Sequence, residues 1–244
     1  MKAVVKRSAE HLTTRALRNE IVSGKLGPMS RLREIELSEK LQVSRATIRA
    51  ALHQLTAEGL IVQVPYTGWT VMTLTARDAW ELYTLRASLE GLAAKLAAAE
   101  LTDEDRLQLE AAFARLAKAA KARAPQDVAE ADFAFHNAII SAAKHRRLSQ
   151  QYRFVEQQVR LSIISSNALL SDIRSIIPQH EPILEAILSG KPSKAASVAE
   201  AHNQSEGMKL VEHLEEIARE SRKKESQKPP KPVKKSTAST KRGQ

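Results

Sequence analysis

Residues 32–71 read LREIELSEKLQVSRATIRAALHQLTAEGLIVQVPYTGWTV, and their order decides the first part of the fold. REIELSEKL has helical spacing, Gln42-Val43 make a short turn, and Ser44 stands as N-cap to a second helix, SRATIRAALHQLTAEG. A serine there accepts a hydrogen bond from a free N–H of the first turn. Gly59 supplies the left-handed residue at which a helix stops. Two β-type runs follow, LIVQV and WTVMTL, joined by PYTG with Gly68 in the turn. Upstream, residues 10–23 (EHLTTRALRNEIVS) place Leu12, Ala16, Leu17 and Ile21 at helical spacing, ended by Gly24 and Gly27-Pro28. Helix, helix–turn–helix, then hairpin is the order of a winged helix-turn-helix.

In SRATIRAALHQL, the apolar Ile48, Ala51, Leu52 and Leu55 share the face turned to a core. Arg45, Thr47 and Arg49 lie near the helix start and point elsewhere. A recognition helix presents its N-terminal residues to base edges, where arginine reads guanine. Ser44 serves both as cap and as phosphate donor. Arg31 and Arg33 are expected on the DNA backbone, and Tyr66, Thr67 and Gly68 of the wing at the minor groove or a phosphate. These residues point to double-stranded DNA as partner.

The charge supports this. The 244-residue chain carries a net +10, divided unevenly. Residues 1–75 hold 11 Lys/Arg against 6 Asp/Glu, residues 222–244 hold 9 against 1, and 76–221 hold 18 against 21. Basic ends around a slightly acidic middle assign a polyanion to the ends. With no cysteine, disulfides, thiolate metal sites and cysteine nucleophiles are excluded. The opening MKAVVKRSAEHL has no apolar run of signal-peptide length and no later segment could span a bilayer, so the expected location is cytoplasmic, with no membrane partner.

From Thr75 on, strand signals vanish. Thr75 and Thr102 cap RDAWELYTLRASLEGLAAKLAAAEL and DEDRLQLEAAFARLAKAAKAR, the latter limited by Pro125. Further helices are expected over about 127–143, 147–170, 173–189 and 194–220. The expected fold is mainly α: a winged helix-turn-helix over 1–75, an all-α helical bundle over 76–221, and a basic disordered tail over 222–244.

In the middle, DFAFH sets Asp132 and His136 one helical turn apart, on the face that carries Ala129, Phe133, Ile139, Ile140 and Ala143. His180 shares a face with Ile183, Leu184 and Ile187, and His202 with Ala195, Val198 and Ala199. Four such polar groups converging in a bundle interior would satisfy one another through a bound divalent cation, for which nitrogen and oxygen donors leave Zn, Ni or Mn open. Arg86 stands in an apolar stripe with Leu82, Tyr83, Leu89 and Ala93 and needs an anion, either Glu90 one turn away or a ligand carboxylate. Arg160, beside Gln157 and Ile164, is a second candidate.

The stretch 32–71 resembles the winged-helix domain of GntR-type transcription regulators. It has Gln42 where glycine is common, Ala46-Thr47 where threonine-proline is common, and Ala50 where an acidic residue is usual. LYTLRASLEGLAAKLAA, DFAFHNAII and HEPILEAILSGKPSKAASVAEAH resemble the FCD effector domain of the FadR subfamily of those regulators. The resemblance implies a metal held by Asp132, His136, His180 and His202, with Arg86 helping to bind a small organic-acid effector. It also implies a homodimer on a palindromic operator, most often as a repressor. Two other functions compete. A metal-dependent enzyme acting on a small organic acid needs a general base, and Glu181 points about 100° from its neighbour His180. A sequence-blind nucleoid binder, suggested by the tail, has no use for a capped recognition helix.

Overall fold

The computed structural model describes residues 9–64 and 68–226; Tyr66, Thr67 and segment 227–244 lie outside the described residues. The chain runs α1 (Ala9–Val22), β1 (Arg31–Leu32), α2 (Glu34–Leu41), α3 (Arg45–Ala57), β2 (Ile61–Val64) and β3 (Gly68–Val71). The bundle follows as α4 (Ala76–Ala99), α5 (Asp103–Lys121), α6 (Pro125–Ala142), α7 (Arg146–Asn167), a 3-10 turn (Ile173–Ser175), α8 (Ile176–Leu188) and α9 (Pro192–Ser226). This is the expected mainly α fold.

Ser44 caps α3 by accepting from the Thr47 N–H at 3.1 Å. Ile48, Ala51, Leu52 and Leu55 are fully buried beneath it, packed with Leu17, Ile21, Ile61 and Trp69. Gln42, at the end of α2, has φ 53°. That left-handed conformation costs a non-glycine residue about 1–2 kcal/mol, which glycine would avoid. The sheet has the antiparallel order β1-β3-β2, with Arg31 opposite Thr70 and Ile61 opposite Val71. Strand β1 was not expected, because two residues carry no alternation to read.

Thr75 and Thr102 each form a complete capping box, with Asp78 and Asp105 closing the ring. Helix α4 packs along α9 so closely that a Cβ on Gly207 would lie 2.5 Å from the Tyr83 Cβ. Two boundaries differ from expectation. Pro125 opens α6 rather than limiting α5, which ends at Lys121, since proline suits the first turn of a helix. Helix α9 continues to Ser226, so the first five residues of the expected disordered tail are helical. No described helix is long and apolar enough to cross a membrane.

Candidate functional site

Five helices, α4, α6, α7, α8 and α9, converge on one buried polar cluster. Helix α6 presents Asp132 and His136, α8 presents His180 and α9 presents His202. Asp132, His136 and His180 are 3%, 1% and 2% exposed, and His202 is half-buried. Asp132 Oδ1 lies 3.2 Å from His136 Nε2 and 3.0 Å from His180 Nε2, and the two Nε2 atoms are 3.2 Å apart. Each of the three histidines offers a nitrogen within 4.8 Å of the other two. All four residues expected as ligands are thus brought together.

The far side of each ring settles what these atoms can do. His180 Nδ1 donates to the Ile176 carbonyl at 2.8 Å. His136 Nδ1 lies 2.7 Å from Glu90 Oε2. A carbonyl only accepts, so His180 Nδ1 carries that ring's proton, and the anionic Glu90 oxygen beside His136 Nδ1 favours a proton on that atom as well. In the neutral rings, both Nε2 atoms therefore bear lone pairs aimed at each other and at Asp132 Oδ1. Three acceptors this close in a buried space demand a positive charge among them, a proton or a metal cation. The donor set of imidazole nitrogens and one carboxylate oxygen fits a divalent transition metal, and the Glu90 contact behind His136 is the outer partner such ligands have.

The electrostatics agree. Burial opposes ionisation of Asp132, but His180 and His136 hold its carboxyl well below the usual range. Burial, with the neighbouring His180 and His136, pushes His202 well below the ordinary histidine value, which keeps its lone pair free. Burial disfavours a charge on His136 as well, but Glu90 and Asp132 outweigh it and raise its pKa.

Arg86 is 2% exposed and donates through Nε to Glu90 Oε1 at 2.7 Å. Of the two anions left open by the sequence, the intrahelical one is present. Glu90 also accepts from the Tyr152 hydroxyl at 2.9 Å and from Asn203 Nδ2 at 2.9 Å. Burial would raise its pKa, but Arg86 and His136 pull it far below the ordinary carboxylate value. Arg86 Nη2 remains buried without a hydrogen-bond partner among the described residues. An unpaired guanidinium N–H beside the histidine cluster is a ready donor to an added anion.

Arg160 stands apart from this network. It pairs bidentately with Glu130, and its guanidinium lies 5.4 Å from the Phe133 ring centre. It lines a cavity of about 500 Å³ between α1 and the bundle, with Asn19, Ser23, Ile164 and Asn167. Asn167 joins cavity to cluster, donating to Asp132 Oδ2 at 3.0 Å. Sequence reading missed Glu90 as a partner of His136, and missed Tyr152, Asn167 and Asn203 altogether. Only the place of Asn203 next to His202 offered a signal.

On the small domain, Arg49 gives a two-pronged bond to Glu34, at 3.0 and 2.8 Å, and Arg45 lies 3.7 Å from the same carboxylate. Arg33 pairs with Glu36 at 2.7 Å. Arg31 is exposed on β1, Thr47 joins the Ser44 cap, and Gly68 opens β3 at φ 93°. Arg31, Arg33, Arg45 and Arg49 are all exposed, and Thr47 is half-buried.

Comparison with known proteins gives the two halves names. Residues 13–71 match the bacterial regulatory proteins of the gntR family, and residues 81–205 match the FCD domain. An HTH-type transcriptional regulator of Mycobacterium tuberculosis is 30% identical over 215 residues, covering 81% of this chain and 88% of the relative. The Nta operon transcriptional regulator of Aminobacter aminovorans is 28% identical over 193 residues, covering 78% and 89%. The solved structure of Escherichia coli McbR/YncC shares the fold, with a TM-score of 0.72 at 20% identity over 85% of this chain and 99% of that one. These families are regulators rather than enzymes, which removes the catalytic alternative. A capped reading helix with a wing, followed by a helical bundle with a buried histidine cluster, therefore belongs to the GntR family of DNA-binding transcription regulators, in the branch that carries an FCD domain.

Proposed function

We propose that this regulator is a repressor whose operator binding is controlled by a small carboxylate effector at a metal site formed by Asp132, His136, His180 and His202. The observation that carries this reading is the convergence of Asp132 Oδ1, His136 Nε2 and His180 Nε2 within 3.2 Å of one another, with their proton-bearing atoms turned outward. A divalent ion there supplies a Lewis-acidic charge to which a carboxylate can bind.

The chain's own residues do the rest. Glu90 and the Ile176 carbonyl fix the ring tautomers. Arg86 Nη2 is an unused donor for the effector's second oxygen. Asn167, on α7, steadies Asp132. The same helix carries Gln158, which donates to the Glu58 carbonyl at 3.4 Å, and Leu161, which packs on the small domain's core. One rigid element thus touches both the ligand cluster and the reading head, and an effector that favours one of its positions shifts the other domain. A homodimer under a two-fold axis would place two reading heads on a palindromic operator.

A thermal-shift screen of small organic acids, with and without added Zn, Ni or Mn, tests this. The reading expects at least one acid whose stabilisation depends on the metal. Acids that stabilise equally in chelator would contradict it.

A further inference from the structure

The surface that faces DNA contains an acid placed against the arginines meant to read it. Glu34, the first residue of α2, is 18% exposed at its side chain and takes both prongs of the Arg49 guanidinium. Its carboxylate is also 3.7 Å from Arg45, the first residue of α3. The Arg49 bond and charge outweigh the opposing effect of burial and, with smaller help from the indole of Trp69 and from Arg45, hold the Glu34 carboxyl below the ordinary glutamate value. Trp69 is itself anchored in the small domain's core at 4% exposure, so the carboxylate is held at a fixed place. Arg45 and Arg49 remain 60% and 56% exposed.

Two consequences follow from charge. An arginine held by a carboxylate contributes little to the counterion release that drives sequence-blind binding. An exposed ion pair is also weak, so a better acceptor can displace it. A guanine edge in register with α3, offering two acceptors in the groove, is such an acceptor, whereas the phosphates of a random duplex meet the pair out of register. We infer that Glu34 is a specificity-determining residue of DNA recognition: it holds Arg45 and Arg49 back from random duplex and releases them to a cognate site. This rests on the reading that both arginines face DNA.

The test uses the full-length protein and two duplexes, one of random sequence and one selected by the wild-type protein from a random library. Each is titrated across salt with wild type, Glu34→Gln, Arg49→Gln and the charge control Glu39→Gln. Glu34→Gln is expected to bind the random duplex roughly five- to ten-fold tighter at 0.1 M salt, with a log–log salt slope steeper by about 0.9 per released arginine. Its affinity for the selected duplex should change much less, so the ratio between duplexes falls. An unchanged or weaker random-duplex affinity, or an equal gain in Glu39→Gln, would overturn the inference. Arg49→Gln should weaken the selected duplex and leave the random-duplex slope unchanged, and it carries the test if Glu34→Gln fails to fold. Equal losses on both duplexes would overturn the latch, while no loss on either would overturn the placement of Arg49 at DNA.

Discussion

His136 Nδ1 lies 2.7 Å from Glu90 Oε2 at the centre of the bundle, where both side chains are 1% exposed. The contact links two networks. On one side, His136 turns Nε2 toward Asp132 and His180; on the other, Glu90 neutralises the buried Arg86. Glu90 is therefore both a structural counter-ion and the outer partner of a ligand histidine.

Removing that charge has a definite cost. Glu90→Gln should destabilise the folded chain by about 3–5 kcal/mol, because it leaves the Arg86 guanidinium buried and unpaired. Urea denaturation of the metal-free protein measures it. The double variant Glu90→Gln/Arg86→Met should recover part of the loss, since the uncompensated charge is then gone.

Asp105 gives a pH-dependent prediction away from the histidines. Burial opposes its charge, but the Lys144 ammonium at 2.6 Å and the Thr102 cap lower its pKa below the ordinary aspartate value. A depressed folded pKa means that the carboxylate's stabilisation is complete above the unfolded pKa of about 3.9 and is lost as pH falls through the folded value. Asp105→Asn should therefore cost about 0.5–2 kcal/mol at pH 7, the usual scale of a helix cap. The gap to wild type should close below pH 4 when thermal melts are compared.

On the DNA side, Arg45→Ala should weaken binding to a selected operator duplex by about 1–3 kcal/mol, as expected for a lost base contact. Fluorescence anisotropy against selected and random duplexes separates the roles. An equal loss on both would make Arg45 a phosphate contact instead.

How much of this was legible in the sequence follows the range of the forces involved. Ser44, Thr75 and Thr102 were readable as caps because their partners lie three residues away. The core face of α3 was readable from its periodicity. Asp132 with His136 was readable as an i, i+4 pair, and His180 and His202 as polar residues on apolar helix faces. The surrounding shell was not. Tyr152 reaches Glu90 across 62 residues and Asn203 across 113, and no local pattern encodes such contacts. Glu34 and Arg49, 15 residues apart on different helices, each look like ordinary surface charges until the turn at Gln42 brings them together.

The most direct test of the metal-centred reading is the metal content of the purified, dialysed protein by mass spectrometry, beside that of His136→Ala. The account predicts a stoichiometric divalent ion in the wild-type chain and its loss in the variant, with the helical circular-dichroism signal retained in both. Stoichiometric metal in His136→Ala, or none in wild type after reconstitution with Zn, Ni and Mn, would contradict it.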